Sequence, residues 1–497
     1  MVQGTTSDAG KSIIATALCR IFSDKGFTIA PFKSQNMSLN SGVTEDGREI
    51  ARSQIVQAMA ARAKPIAEHN PVLLKPKEKN ASQIMLLGRP FTDYNYEDYY
   101  PKCVPQLIPH VKNTLNFLRE NNDIVVIEGA GSPAEINLMH REIANMFVAK
   151  LHNSPVILVA DIDRGGVFAS IYGTIKLLPP EEQSLVKGFI INKFRGNLDI
   201  LKPGIAQIEE LVGKKCLGVV PYIPNLRIPA EDSQNLQKSN SQGIIDIKII
   251  RLPQMANFTD FEPLAWEPTL KVTYIEAPAE LGTPDVIIIP GTKNTVKDFQ
   301  WFEEMGFVDW IKKLHQTGTL IVGICGGYQF LGEEIIDSGV EGGAPVTVST
   351  LGLLPLGTEF KSYNKITKQV TTEVVGLPDF NGVKVDGYEI HMGRVWPKSQ
   401  AKLFLRESER ALDSEEGIIS TVSEDGSILG TFLHGFWDND AFRHKFIEYL
   451  FKRKKIPLSS ELKLISYAGS IEKGIQEIAQ AVKNHVDVGY IANLLEL

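Results

Sequence analysis

The 497-residue sequence is poor in cysteine: it has four, at Cys19, Cys103, Cys216 and Cys325, and no Cys-x-x-Cys pair. That spacing excludes a disulfide framework and a thiolate zinc site, and it suits a reducing compartment. No apolar run approaches the ~20 residues that a membrane span needs. Met1-Val-Gln-Gly-Thr-Thr6 has no basic stretch followed by an apolar one, so no secretory signal is expected there. An excess of positive charge is also missing. Lys and Arg number 52 against 59 Asp and Glu, a formal net charge of −7, so neither nucleic acid nor an anionic membrane is expected as a partner. Internal repeats and long low-complexity segments are absent. What remains is 43% hydrophobic and 22% charged. This is the composition of a cytoplasmic, soluble protein able to bury sizeable cores, with two to four domains at roughly 150 residues each.

The first half alternates short, β-branched apolar runs with amphipathic stretches. Phe27–Lys33, Ile124–Gly131, Pro155–Asp163, Gly188–Phe194 and Leu217–Tyr222 read as strands buried on both faces of a parallel sheet. Helical patterns such as Lys11–Lys25 and Pro105–Glu120 lie between them. This rhythm predicts a doubly wound α/β domain over residues 1–235, with ligands at the C-terminal ends of its strands. The polar stretch Glu231–Gly243 reads as a linker. A second α/β domain follows over residues 245–450, with runs at Asp246–Leu252, Lys271–Ala277, Asp285–Pro290 and Thr319–Cys325. Antiparallel additions are expected beyond Val346. Residues 451–497 read as helices closing that second domain.

Gly4-Thr5-Thr-Ser-Asp-Ala-Gly10-Lys11-Ser12 stands directly before a helical pattern. A glycine-rich turn lets backbone N–H groups wrap a phosphate, and the helix N-terminus adds its dipole. Lys11 then reaches the outer phosphates and the Ser12 hydroxyl can ligate Mg²⁺. The first glycine sits one position early for the common phosphate-loop pattern, and only Met1–Gln3 remain to form the preceding strand. Glu128 ends a buried strand before flexible glycines and suits a Mg²⁺ near the γ-phosphate. Asp46 and Glu49, in a polar loop, are further candidate ligands, although taken alone a solvated acidic loop explains them better. Asn192, at another strand end, is a candidate for reading a purine edge.

Leu-Ile-Val-Gly-Ile-Cys325-Gly326-Gly-Tyr-Gln329 reads as strand, sharp turn and helix, with small residues on both sides of the cysteine. Such neighbours permit the strained turn that exposes a nucleophile. The next helix start favours the thiolate and offers N–H groups to an oxyanion. A thiolate here needs a histidine base, and His434 and His391 both stand at strand ends. Pro290-Gly291-Thr292 follows a buried strand and can supply another oxyanion donor. Cys19, Cys103 and Cys216 read as small buried hydrophobes.

These strings resemble known ones. Gly-Ile-Cys325-Gly-Gly-Tyr-Gln with a later His434 resembles a class I glutamine amidotransferase domain. The first half is similar to the dethiobiotin-synthetase-like ATPases, which share the displaced glycine. In this order the pair resembles the cobyrinate amidases, with matching strings from Gln3–Ser12, Pro31–Asn40, Glu128–Leu138, Ala160–Ala169 and Asn192–Gly196 to Gly387–Gly393. The resemblance implies four successive amidations of adenosylcobyrinic acid a,c-diamide, at the b, d, e and g side chains. Glutamine would supply nitrogen through Cys325 and His434, with Gly291, Gly326 and Gln329 binding glutamine or its oxyanion. ATP and Mg²⁺ would activate each carboxylate at Gly4, Thr5, Gly10, Lys11, Ser12, Lys33 and Asn192. Ser12, Glu128 and Asp46 would hold the metal. Asp161 and Asp163 could face substrate or metal, or cap the turn after them. No tightly bound organic cofactor is implied.

Two departures stand out. Where many class I glutaminases place a glutamate two residues after the histidine, this chain has Phe436, so His434 must be oriented some other way. Asn197 also replaces an acid in the Asn-Lys-Phe-Arg-Gly string. A sister a,c-diamide synthase or a peptidoglycan-lipid amidating enzyme would share both steps, and the Pro31–Asn40 and Ala160–Ala169 strings argue against them. A nucleotide switch with a retired glutaminase module would have no chemical need for Cys325 and His434. A corrinoid carrier would need a cobalt-ligating Asp-x-His-x-x-Gly string, which is absent.

Overall fold

The computed structural model describes residues 1–78, 81–231, 242–341, 343–407, 417–457 and 464–496. Most of the expected linker therefore lies outside the described residues. The chain forms two compact units, and neither is continuous in sequence. The first takes Met1–Ser38, Glu49–Pro229 and the chain from Ser470 onward; the second takes Leu39–Arg48 and Ala230–Gly469.

The first unit is built on parallel strands in the order Ile29–Phe32, Ile124–Ile127, Val2–Gly4, Val156–Asp161, Val186–Phe194 and Lys215–Pro221. One bridge, Val2 to Glu128, joins the first pair to the other four, supported by Gly129 N donating to Val2 O at 2.8 Å. The short strand expected at the N-terminus is three residues long and lies inside this sheet. Its neighbours are β-branched, as burial on both faces requires. The helix Lys11–Asp24 follows Val2–Gly4 through the phosphate loop, and Val104–Asn121 precedes Ile124–Ile127. The sequence pattern gives no warning of a second, four-stranded sheet made of Gln35–Met37, Val72–Glu78, Ala81–Leu86 and Arg89–Asn95.

The C-terminal helices differ from expectation. From Ser470 onward the chain belongs to the first unit, not the second. The apolar stripe Ile471, Ile475, Ile478 and Val482 is buried. Arg20, itself buried, pairs with Glu472 at 2.7 Å, and Asp487 N donates to Leu217 O at 2.7 Å. A Cβ on Gly474 would stand 2.4 Å from Arg227 O, so the helix approaches that segment as closely as glycine permits.

The second unit is centred on a six-stranded sheet. Its order is Leu270–Ile275, Ile245–Ile250, Val286–Ile289, Leu320–Ile324, Ile428–Thr431 and Ser420–Val422, parallel except for the last pair. The additions are two four-stranded sheets, one antiparallel throughout and one mixed, in which Glu334–Ser338 pairs in parallel with Leu356–Phe360. In one of them Lys384–His391 pairs with Leu433–His434.

Candidate active sites

In the first unit Gly10 caps the helix at φ 99°, a left-handed conformation that glycine adopts without strain. A Cβ there would lie 2.0 Å from Asn192 Nδ2, which donates to Ala9 O at 3.0 Å. Asn192 thus braces the phosphate loop from below. Lys11 Nζ donates to Thr6 O at 3.0 Å and Gly131 O at 3.1 Å, curling back over Gly4. Thr5 N ties the loop to the sheet through Val159 O at 2.9 Å.

Glu128 is the centre of this site and is fully buried. Its Oε1 accepts from Ser12 Oγ at 2.8 Å and from Lys33 Nζ at 2.8 Å, while Gln57 Nε2 donates to Oε2. A buried carboxylate needs such partners, since an unpaired charge in low dielectric is costly. Among the described residues no group of three or more His, Cys, Asp or Glu side chains forms a metal cage. A hydroxyl beside one carboxylate offers hard oxygen donors that could hold a Mg²⁺ arriving with a nucleotide.

Asp46 is the third metal-ligand candidate. It belongs to the second unit, at an exposed turn, where Arg48 Nε donates to it at 2.6 Å and Thr44 also donates. Slight burial acts the other way, but these contacts hold its carboxyl below the usual range. The acidic loop is a neutralised turn. Glu49 is buried against Lys75. Asp161 pairs with Lys193 at 2.8 Å and accepts from Asp163 N at 2.8 Å, so it caps the turn. Asp163 pairs with Arg195 at 3.0 Å. Asn197 caps the following helix through Asp199 N.

In the second unit Cys325 ends the strand Leu320–Ile324 and opens the helix Gly326–Phe330 at φ 52°, ψ −111°. Such backbone strain, of order 1–3 kcal/mol, is held by close packing on every side. A Cβ on Gly323 would lie 2.5 Å from Gly327 O, and one on Gly327 would lie 2.0 Å from Ile289 O. Gly291 faces the site directly: its Cβ would stand 3.3 Å from both Cys325 Cβ and His434 Cε1. The loop carrying Gly291 is pinned by Asp298, whose Oδ2 accepts from Thr292 Oγ1 at 2.5 Å and Gln254 N at 3.0 Å. Burial raises the Asp298 carboxyl to about 6 despite those bonds. Gln329 is buried with its amide engaged at both ends, accepting from Thr295 Oγ1 at 3.1 Å and donating to Met392 O at 3.0 Å.

The residue that sequence reasoning missed is Asp260. Its Oδ2 lies 2.6 Å from His434 Nδ1, and its Oδ1 accepts from Gly435 N at 3.0 Å. Both side chains are buried. Burial would push the His434 pKa down, but the charge and hydrogen bond of Asp260, with Cys325 adding to them, hold it at about 10. Asp260 thus stands where an acid two residues after the histidine would act, and the Phe436 position is a buried aromatic packed on Trp437. His391, the rival base, is committed elsewhere. Its Nε2 meets Glu389 at 3.0 Å and its ring stacks on Phe432 at 3.6 Å. Cysteine, imidazole and carboxylate in this order are the parts of a nucleophilic acyl-transfer site.

Comparison with known proteins agrees with both halves. Residues 1–236 match the CobQ/CobB/MinD/ParA nucleotide binding domain, and residues 246–442 match the CobB/CobQ-like glutamine amidotransferase domain. The cobyric acid synthase of Moorella thermoacetica is 44% identical over 507 residues, covering 100% of this chain and 97% of that protein. The chain belongs to the cobyric acid synthase family. The probable cobyric acid synthase of Methanocella arvoryzae is likewise 44% identical, over 100% of this chain and 98% of its own. Among solved structures, PurLQS from Thermotoga maritima aligns with 41% of this chain and 99% of its own at 20% identity and a TM-score of 0.32. Membership of the cobyric acid synthase family rests on the end-to-end sequence relatives, not on that distant likeness.

Proposed function

We propose that this member of the cobyric acid synthase family is a glutamine-hydrolysing, ATP-dependent amidoligase. It acts in cobalamin biosynthesis, on adenosylcobyrinic acid a,c-diamide, adding amides at the b, d, e and g carboxylates to give adenosylcobyric acid. The observation that carries this reading is full-length similarity to cobyric acid synthases in a chain that keeps both a phosphate loop and a complete Cys325–His434–Asp260 set.

The chemistry follows from the residues. A carboxylate is a poor acyl donor, because oxide is a poor leaving group. ATP·Mg²⁺, bound as substrate, transfers its γ-phosphoryl group to a carboxylate oxygen, giving an acyl phosphate and ADP. Lys11 and Lys33 offset charge on the moving phosphoryl group, and Ser12 and Glu128 would hold the Mg²⁺ that arrives with the nucleotide and would supply Lewis-acid stabilisation there. In the other unit Cys325 Sγ attacks the glutamine amide carbon, with Gly291 and Gly326 lining the oxyanion. His434 carries the proton to the departing ammonia, and water then releases glutamate from the thioester. Ammonia attacks the acyl phosphate, the C–N bond forms, the C–O bond to phosphate breaks, and the phosphate takes the proton.

The test is mass spectrometry of the diamide corrinoid after incubation with protein, ATP, Mg²⁺ and glutamine. Each step exchanges OH for NH₂, so the product ladder counts amidations. Four additions that need both ATP and glutamine are expected. ATP hydrolysis without any addition would overturn the substrate assignment.

A further inference from the structure

Residues 39–48 lie in the N-terminal half of the sequence, yet they belong to the unit that holds Cys325. There they touch the supports of the catalytic groups. Asn257 N donates to Leu39 O at 3.2 Å, and Asn257 Oδ1 accepts from Ser41 N at 3.0 Å. This reciprocal pairing holds Asn257 at φ 51°, ψ 42°, the left-handed cap from which the single turn Phe258–Phe261 starts. Asp260 sits on that turn. Its neighbour Thr259 donates through Oγ1 to Asn40 Oδ1 at 2.8 Å, and Asn40 Nδ2 donates to Ala230 O at 3.1 Å.

The opposite flank is held by the same segment. Tyr388 OH donates to Ser41 O at 3.1 Å, and the Tyr388 ring stacks on the His434 imidazole with centroids 5.5 Å apart and planes 18° apart. Val43 packs with Tyr388 and Ile390. Ile390 O, in turn, is the atom that Cys325 Sγ approaches, at 3.6 Å. Asp260 and His434 therefore each have a neighbour, adjacent in the chain or stacked on it, that hydrogen-bonds to residues 39–43, and the carbonyl that Cys325 approaches belongs to a residue that packs on Val43.

We propose that residues 39–43 are a positioning strap for glutamine hydrolysis, with Asn40 and Ser41 as its working members. The strap sets the turn of Asp260 on one side and the ring stacked on His434 on the other. A hydrogen-bonded acid and base must be held to a fraction of an ångström to act together. The inference rests on the glutamine-hydrolysing reading of Cys325 and goes further: the glutaminase unit takes part of its support from the nucleotide-binding half of the sequence. Lys33 just before the strap and Gln57 just after it both hydrogen-bond to Glu128. One stretch of backbone therefore runs from the magnesium carboxylate through the glutaminase and back.

The test uses the full chain and two variants, Asn40→Ala and Tyr388→Phe, the second deleting one hydroxyl and keeping the ring. Three quantities are measured: glutamate release, amidation driven by ammonium salts, and the pH dependence of Cys325 alkylation by iodoacetamide. Asn40→Ala should lower kcat for glutamine hydrolysis about tenfold, the size expected for one buried hydrogen bond. Its KM for glutamine should hold, and ammonia-driven amidation should continue at the wild-type rate. Tyr388→Phe should act in the same direction. In both, the alkylation profile should shift as His434 loses its alignment. Unchanged hydrolysis in both variants, an unshifted alkylation profile, or equal loss of ammonia-driven amidation would each overturn the strap. If Asn40→Ala does not fold, Tyr388→Phe decides alone. A wild-type protein that hydrolyses no glutamine would overturn the glutaminase reading instead, and the alkylation profiles would still judge the strap.

Discussion

His434 is an imidazole buried between a carboxylate and a thiol, and its charge state follows from those neighbours. With its folded-state pKa at about 10, above the ordinary value near 6.5, the charged ring stabilises the fold. That contribution is fully present below about pH 6.5 and is lost as pH rises through about 10. The melting temperature of wild type should therefore fall over that window relative to His434→Gln, in which the slope should flatten. Asp260→Asn keeps the shape but removes the charge that orients the ring. Glutamine hydrolysis should drop by about 10⁴-fold, as expected when an acid–base pair loses its orienting carboxylate, while ammonia-driven amidation is retained. Cys325→Ala should likewise abolish only the glutamine-driven reaction, and equal loss of both would argue against separate sites. Cys325 and His434 are legible because their signals are local: glycines around a strand-to-helix turn, and a histidine ending a strand. Asp260 lies 174 residues before its partner, and no spacing rule connects an aspartate in Asn-Phe-Thr-Asp-Phe to a distant histidine. Asp46 shows how local composition alone leaves a side chain's partners open. Its local composition suits a metal ligand, but only the fold shows Arg48 already neutralising it.

At the scale of elements, the two turns that carry the candidate sites are defined by what they exclude. Gly327→Ala would put a methyl group 2.0 Å from Ile289 O, backbone that cannot swing aside. A loss of about 1–3 kcal/mol in stability is expected, with the turn displaced, and denaturant unfolding together with glutamate release would measure both. Lys11→Ala should remove amidation with either nitrogen source while glutamine hydrolysis survives. Retained amidation would contradict the phosphate-loop role. Strands buried on both faces are easily read from sequence, because they are continuous β-branched runs. The mixed four-stranded sheet of the first unit is not. Arg89–Asn95 buries a single residue, Tyr94, and is otherwise exposed, so the alternation that marks a half-buried strand never develops.

At the scale of the whole molecule, the polar stretch near residue 235 is a real change in composition, yet the compact units do not simply divide there. Residues 39–48 cross in one direction, and the chain from Ser470 onward crosses in the other. A sequence reader has no means of seeing this, since an amphipathic helix such as Tyr467–His485 announces that it packs but not against what. Deleting residues 470–497 should strip the cover from the buried Arg20 and from the segment around Leu217. The expected result is a lower melting temperature and weakened ATP binding, with the environment of Cys325 unaltered. A protein cut near residue 236 should lose glutamine hydrolysis in its C-terminal fragment, which lacks residues 39–48.

The C-terminal helix also sets an order of events during synthesis. A ribosome delivers the nucleotide-binding sequence first, and domains generally fold as they emerge. Here the segment from Ser470 onward that belongs to the first unit follows the whole of the second unit in the chain, and so is made after it. The unit that is begun first thus gains one of its parts only after the other unit has been synthesised, and Arg20 waits through that interval for Glu472.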